Sequence, residues 1–120
     1  MEFAFVIADT TGTIQSVNEA TERLFGHPAN TLIGQTLDAL VPAPHRSAHW
    51  TGFHALMASD DTELDRGAVI VPVLHADGTT VSHAVHLTQL RDPWGRPVGA
   101  MALFALHEPA LNEYPPLPSV

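Results

Sequence analysis

The amino-acid sequence predicts an α+β fold: a five-stranded antiparallel sheet with short helices and one longer helix packed on one face. Two strand-like segments open the chain and three close it, and turn residues separate the members of each group. The stretch between the two groups has apolar residues at helical spacing instead. Because tight turns join neighbouring strands in opposite directions, the sheet is expected to be antiparallel.

The first two strands are predicted at residues 3–8 and 13–17. The first is a short apolar run with β-branched and aromatic residues, and the second alternates between apolar and polar side chains. Residues 9–12 between them, Asp-Thr-Thr-Gly, are typical of a turn. Asn18 then has the side chain of a helix N-cap, and Gly26 marks the end of the helix that follows.

The central segment is predicted to be helical, with short pieces followed by one longer helix. Residues 27–41 are interrupted by proline, asparagine and glycine, which favours one or two single-turn helices. The longer helix is predicted at residues 46–58, after two prolines that a first turn tolerates. One face of this helix carries the side chains of His49, Phe53, Leu56 and Met57.

The last three strands follow an acidic loop and are separated from one another by turn signals. They are predicted at residues 64–75, 81–88 and 98–106. The dipeptide Asp77-Gly78 joins the first two of them as a hairpin. We therefore predict one domain at residues 1–107. A proline-rich C-terminal tail follows at residues 108–120 and contains four of the ten prolines.

Composition excludes several functional classes. The 120 residues suit a single domain, and the absence of cysteine excludes a disulfide scaffold, a thiolate zinc site and a cysteine nucleophile. Thirteen acidic residues against five basic ones give a net charge of -8, which disfavours binding to nucleic acid or anionic membranes. No apolar run approaches the ~18 residues of a membrane span, and no signal-peptide pattern is present, so we expect a cytoplasmic protein.

The sequence also lacks the common catalytic constellations. It has no glycine-rich loop that could hold a phosphate group. Ser47 and His49 are close in sequence, but their side chains project in different directions from a helix and do not form a nucleophile–base pair. We therefore expect that the domain is not an enzyme.

Three phrases, in this order and spacing, resemble a PAS domain: FVIADTTGTIQSVNEATERLFGHPANTLIGQTLDALVP, HADGTTVSHAVHL and DPWGRPVGAMALF. The resemblance covers about residues 3–106. It implies a sensor and dimerisation module with a pocket between the sheet and the longer helix. Such pockets hold haem, flavin, small acids or nothing, so a diatomic gas or another small molecule is the implied ligand. The resemblance further implies a homodimer and a signalling output protein as partners.

A narrower resemblance concerns haem. The stretch VPAPHRSAHWTGFHALMAS is similar to the helix of the haem-binding PAS domains of FixL-type oxygen sensors, and the residue at the position of their iron ligand is His49. This implies haem b, with Leu64, Val85 and Leu87 as apolar residues over the haem. Val69 falls where those domains carry the arginine that responds to bound oxygen.

Other side chains are candidates for the same pocket. Phe53 and Met57 share the helix face of His49. Alternation along the strand puts His83 on the face of Val85 and Leu87, where it could act as a sixth iron ligand or a gate. Each histidine also has a simpler interpretation, because His49 could be held by a structural hydrogen bond and His83 could reach solvent.

Three functional hypotheses follow from these observations. The first is a haem sensor of gas or redox state, with His49 as the metal ligand. The second is a PAS module that binds another small ligand or none and acts by dimerisation. The third is a zinc-stabilised protein, because His45 and His49 are four residues apart and could share a metal ion.

Overall fold

The structure, a computed structural model, describes residues 3–59 and 66–105. Its helices and strands follow in this order: β1 (Phe3–Asp9), β2 (Ile14–Val17), α1 (Glu19–Phe25), α2 (Ala29–Leu32), α3 (Arg46–Ala58), β3 (Arg66–Leu74), β4 (Thr80–Arg91) and β5 (Pro97–Ala105). Two 3₁₀ turns, Leu37–Ala39 and Ala43–His45, connect α2 to α3.

The five strands form one antiparallel sheet in the order β2-β1-β5-β4-β3. The first and last strands therefore lie side by side, with Ala4 opposite Phe104 and Ala8 opposite Ala100. This arrangement confirms the predicted five-stranded α+β fold. It leaves β2 and β3 at the edges and puts β5 in the middle, where a strand has neighbours on both sides.

The helices cover one face of the sheet. Along β1 the side chains of Ala4, Val6 and Ala8 are buried, whereas those between them are partly exposed, as the two-residue period of a strand requires. The buried core includes side chains from the sheet and from the helical segment: Ala4, Val6, Ile14, Ala20, Phe25, Leu32, Leu40, Val73, Val85 and Phe104. The core therefore lies between the sheet and the helices.

Local signals account for the predicted helix ends. The side chain of Asn18 accepts a hydrogen bond from the Thr21 backbone N–H, and Gly26 ends α1 with φ of 81°. That left-handed conformation is one that glycine adopts at low cost. The longer helix α3 spans the predicted residues 46–58.

Some predicted features lie outside the described residues. These are Leu64, most of the acidic loop and the proline-rich tail, so the boundary between residues 107 and 108 stays a prediction. In the described parts of the chain, no helix is long and apolar enough to cross a membrane.

Candidate ligand-binding site

A cavity of about 880 Å³ lies between the sheet and α3, within the size range of small-molecule sites. Its wall is formed by residues from both layers: Val6, Ala8, Leu37, Leu40, Val41, His45, Ala48, His49, Gly52, Phe53, Ala55, Leu56, Ser59, Val69, Val71, Pro72, Val73, Val85, Leu87, Ala100, Met101, Ala102 and Phe104. Among these described residues, the side chains with polar atoms are those of His45, His49 and Ser59. The cavity therefore suits a largely apolar ligand with a small polar part.

His49 lies on the α3 wall of the cavity and is half-buried. Its Nδ1 atom is buried and has no hydrogen-bond partner among the described residues. The ring packs nearly parallel to that of Phe53, with 6.2 Å between centroids and 25° between planes. Burial lowers the pKa of His49, and the nearby Asp38 carboxylate opposes this shift. A neutral imidazole at neutral pH has a lone pair that can bind a metal ion.

The N-terminal part of α3 is fixed to the segment that precedes it. The Trp50 indole N–H donates to a carboxylate oxygen of Asp38 at 2.7 Å. The Arg46 guanidinium donates to the Val41 carbonyl at 3.1 Å. The end of the Trp50 ring also lies so close to Gly12 that a β-carbon there would overlap it. Trp50 therefore packs on the β1–β2 turn, and it does not line the cavity.

The C-terminal end of α3 is tied to β4. The Gln89 side-chain amide donates to the carbonyl of Leu56 at 2.7 Å and to that of Ser59 at 3.2 Å. The Arg91 guanidinium donates to the same Ser59 carbonyl at 3.0 Å. These bonds satisfy carbonyls that a helix end leaves without a partner. With both ends held, α3 keeps His49 at a defined distance from the sheet.

The structure brings together five of the predicted site residues. The cavity wall contains His49, Phe53, Val69, Val85 and Leu87.

Two other predicted residues do not belong to this wall. Met57 lies on α3 but outside the lining, because the wall follows the stripe through Gly52, Phe53 and Leu56 and Met57 is rotated off it. His83 does lie on the helix side of the sheet, but it contacts Phe25 of α1 with 5.3 Å between ring centroids. The cavity does not extend to that part of β4.

Several wall residues were missed by the sequence analysis. Leu37, Leu40 and Val41 come from the short turns before α3, and Ala100 and Ala102 come from β5. The alternation of Ala100, Ala102 and Phe104 was a usable signal for an inward face on β5. The contribution of the turns had no comparable signal, because it depends on where they pack.

The zinc hypothesis receives no support from the geometry. His45 and His49 both line the cavity. In residues 3–59 and 66–105, however, no three His, Cys, Asp or Glu side chains form a group that could hold a metal ion. A structural zinc site normally has four protein ligands.

Comparisons with known proteins agree with this architecture. A family model described as a PAS fold matches residues 1–105. The sensor protein FixL of Bradyrhizobium diazoefficiens is 35% identical over 77 residues, which cover 64% of this chain and 15% of FixL. The chain spans between 6% and 15% of the length of three curated relatives that it matches.

Solved structures show the same fold. The PAS domain of a protein from Colwellia psychrerythraea has a TM-score of 0.70 at 23% identity, covering 86% of this chain and 84% of that one. The PAS domain of the quorum-sensing receptor RpfR from Cronobacter turicensis, solved in complex with C12:0, has a TM-score of 0.68 at 15% identity, covering 87% and 92%. The chain therefore belongs to the PAS family of sensory and signalling domains.

Proposed function

We propose that this PAS domain binds haem b in the cavity, with His49 as the iron ligand, and senses a diatomic gas or the redox state. One observation carries the proposal: His49 lines an apolar cavity, and its buried Nδ1 atom has no hydrogen-bond partner among the described residues. A structural histidine would be expected to use its ring nitrogens in such bonds. The similarity to FixL adds support, because FixL is named as a sensor.

The residues around His49 suit this role. When bound, haem would supply an iron atom that binds a gas or changes its oxidation state. His49 would hold the iron through a neutral imidazole, and Phe53 would fix the orientation of that ring by packing against it. Val69, Val85 and Leu87 give the sheet side of the cavity an apolar surface. Because these three side chains have no hydrogen-bond donor, the wall favours carbon monoxide over the more polar dioxygen.

A second candidate ligand is a medium-chain carboxylic acid. Among the described wall residues, none is Arg or Lys, and only His45 and His49 could pair with an acidic group. Haem carries two propionates, whereas a fatty acid has one carboxylate and an apolar chain that fits this lining. The RpfR domain, solved with C12:0, shows that a PAS fold accommodates such a chain in that protein.

The deciding experiment is a hemin titration of the purified domain. We expect the wild type to take up hemin in a one-to-one complex with a Soret band, and His49→Ala to lose that band while its circular dichroism spectrum stays unchanged. His54→Ala is the matched control, because His54 is exposed on the same helix and lies outside the cavity wall. A Soret band of unchanged position and stoichiometry in His49→Ala would contradict the assignment of His49. Absence of hemin uptake by the wild type, with calorimetric binding of dodecanoic acid, would favour the second candidate.

We also propose that the domain acts as a homodimer and passes its signal to an output partner, without catalysing a reaction itself. The sheet face opposite the helices has apolar groups that a second copy would cover. Ile70 is 70% exposed there, and its neighbour across the ladder is the exposed Ala84. The acidic composition fits a cytoplasmic module that does not bind nucleic acid.

A further inference from the structure

Two histidines meet outside the cavity, at the turn end of the β3–β4 hairpin. His75 directly follows β3 and His83 lies in β4, and their Nε2 atoms are 2.9 Å apart. The ring planes differ by 13° and the centroids are 5.1 Å apart. Since the two nitrogens lie between the centroids, the rings meet edge to edge. This is the geometry of an N–H···N hydrogen bond between two imidazoles.

The surroundings of the pair are apolar. Phe25, from α1, packs nearly perpendicular to both rings, with 5.4 Å between its centroid and that of His75 and 5.3 Å to that of His83. The ring of Phe104, from β5, lies next to that of His83, with 6.2 Å between the ring centroids. Burial lowers the pKa of His83, and a positive charge on His75 lowers it further. Protonation of His83 is therefore unfavourable when His75 is already protonated.

His27 and Asp77 are titratable groups beside the hairpin end that carries the pair. His27, just after α1, has its Nε2 atom 3.3 Å from the Leu74 carbonyl. The carboxylate of Asp77, in the hairpin turn, interacts electrostatically with His75. The groups that α1 and β5 present to the pair are the uncharged rings of Phe25 and Phe104.

Proton counting shows what the pair can hold. In the neutral state one Nε2 carries a hydrogen and donates it to the other Nε2, which has a lone pair. A first added proton can go to the Nδ1 atom of the donor ring, and the bond between the rings survives. A second proton must go to the accepting Nε2. Two N–H groups would then face each other, and the two positive charges would repel.

The turn of the hairpin, next to the histidine pair, is also bonded to α1. The Ala76 backbone N–H donates to the Phe25 carbonyl at 2.9 Å. A β-carbon on Gly26 would touch the Ala76 side chain at 3.3 Å, so the two segments are closely packed. Separation of the histidines would therefore loosen the contact between the hairpin and α1. Because β3 and β4 also supply Val73 and Val85 to the cavity wall, such loosening would reach the ligand site.

We propose that His75 and His83 form a proton-sensitive clasp, which keeps the β3–β4 hairpin docked on α1 while at least one ring is neutral and releases it when both are protonated. The sign follows from the direction of the His83 shift. A histidine whose pKa is lowered in the folded state contributes full stability above the ordinary value of 6.5. This contribution is lost as the pH falls below that value, because the unfolded chain then binds a proton that the folded chain excludes. The clasp is independent of which ligand occupies the cavity.

The first test needs only the wild-type protein. Nitrogen NMR of the imidazole rings at neutral pH reports which nitrogen carries the hydrogen. We expect one of His75 and His83 to be protonated on Nε2 and the other on Nδ1. If both rings are protonated on Nε2 at neutral pH, the hydrogen bond between them does not exist and the proposal is wrong.

The second test measures docking of the hairpin through hydrogen exchange of the Ala76 amide. In the wild type, we expect its protection factor to fall by about tenfold or more as the pH is lowered through the titration of His83. In His83→Gln the fall should disappear, because the amide can pair with either form of His75 and takes up no proton. His86→Gln, on the opposite face of the same strand, should keep the wild-type response. A fall in His83→Gln equal to that of the wild type, or no fall in the wild type, would overturn the proposal.

Discussion

Asn18 is expected to be one of the most sensitive polar positions in the molecule, because one side chain joins α1 to β1. Its Oδ1 atom accepts from the Thr21 N–H at 3.1 Å and from the Thr21 hydroxyl at 2.7 Å. The same oxygen accepts from the Phe5 N–H at 3.1 Å, and Nδ2 donates to the Phe3 carbonyl at 2.7 Å. The β1–β2 ladder pairs Val6 with Val17. Beyond that pair, the Asn18 side chain takes the place of a β2 backbone as the hydrogen-bond partner of β1.

The cost of Asn18→Ala can be worked out from these bonds. Loss of an N-cap costs about 1 kcal/mol. The Phe5 N–H and the Phe3 carbonyl also lose their hydrogen bonds to Asn18, at about 0.5–1.5 kcal/mol each. Both groups are only part-buried, so water can partly replace the lost side chain. The expected decrease in the free energy of unfolding is about 2–4 kcal/mol.

Asn18→Asp separates the two roles of the side chain. A carboxylate keeps the acceptor for Thr21 and Phe5, and a negative charge is favourable at the start of a helix. It cannot donate to the Phe3 carbonyl, so we expect a loss of about 1–2 kcal/mol. Thr31→Ala is a suitable control, because its hydroxyl makes only an exposed bond to the Pro28 carbonyl. That change should stay within about 0.5 kcal/mol of the wild type.

Urea unfolding followed by tryptophan fluorescence would measure these differences, with equal m-values as the check that the transition is comparable. The expected order of stability is Thr31→Ala, then Asn18→Asp, then Asn18→Ala. A cost below about 1 kcal/mol for Asn18→Ala would mean that the cap accounts for the whole effect. The proposed bridge to β1 would then be refuted.

Two further predictions concern assembly and acid stability. Ile70→Glu should shift the protein from dimer to monomer in light scattering at high concentration. Ile33→Glu, at an exposed site on the other side of the molecule, should leave the dimer intact. A wild type that is already monomeric at high concentration would contradict the proposed dimer. Stability should fall as the pH drops below the ordinary aspartate value of 3.8, because the Arg96 backbone N–H and other hydrogen-bond donors hold the pKa of Asp92 low in the folded state. Asp92→Asn should reduce the loss of stability in urea unfolding between about pH 5 and pH 3, and an unchanged loss would mean that this carboxylate does not contribute.

Features that depend on neighbouring residues were predictable from the sequence. The cap at Asn18 and the left-handed end at Gly26 follow from what those residue types do to the adjacent backbone. The bounds of α3 follow from the prolines before it and the polar loop after it. Alternation was likewise enough to put His83, Val85 and Leu87 on one face of a strand. Val69 was placed by the family resemblance, because its own strand is apolar on both faces.

Positions set by distant packing were not predictable. Alternation correctly put His83 on the helix side of β4, but that strand is twelve residues long and passes beneath different elements along its length. Near Val85 the inner face borders the cavity, whereas at His83 it meets Phe25 of α1. The pairing with His75 depends on the register between β3 and β4 and on the position of α1. Strand periodicity fixes the face of a side chain, but only the tertiary structure determines what covers that face.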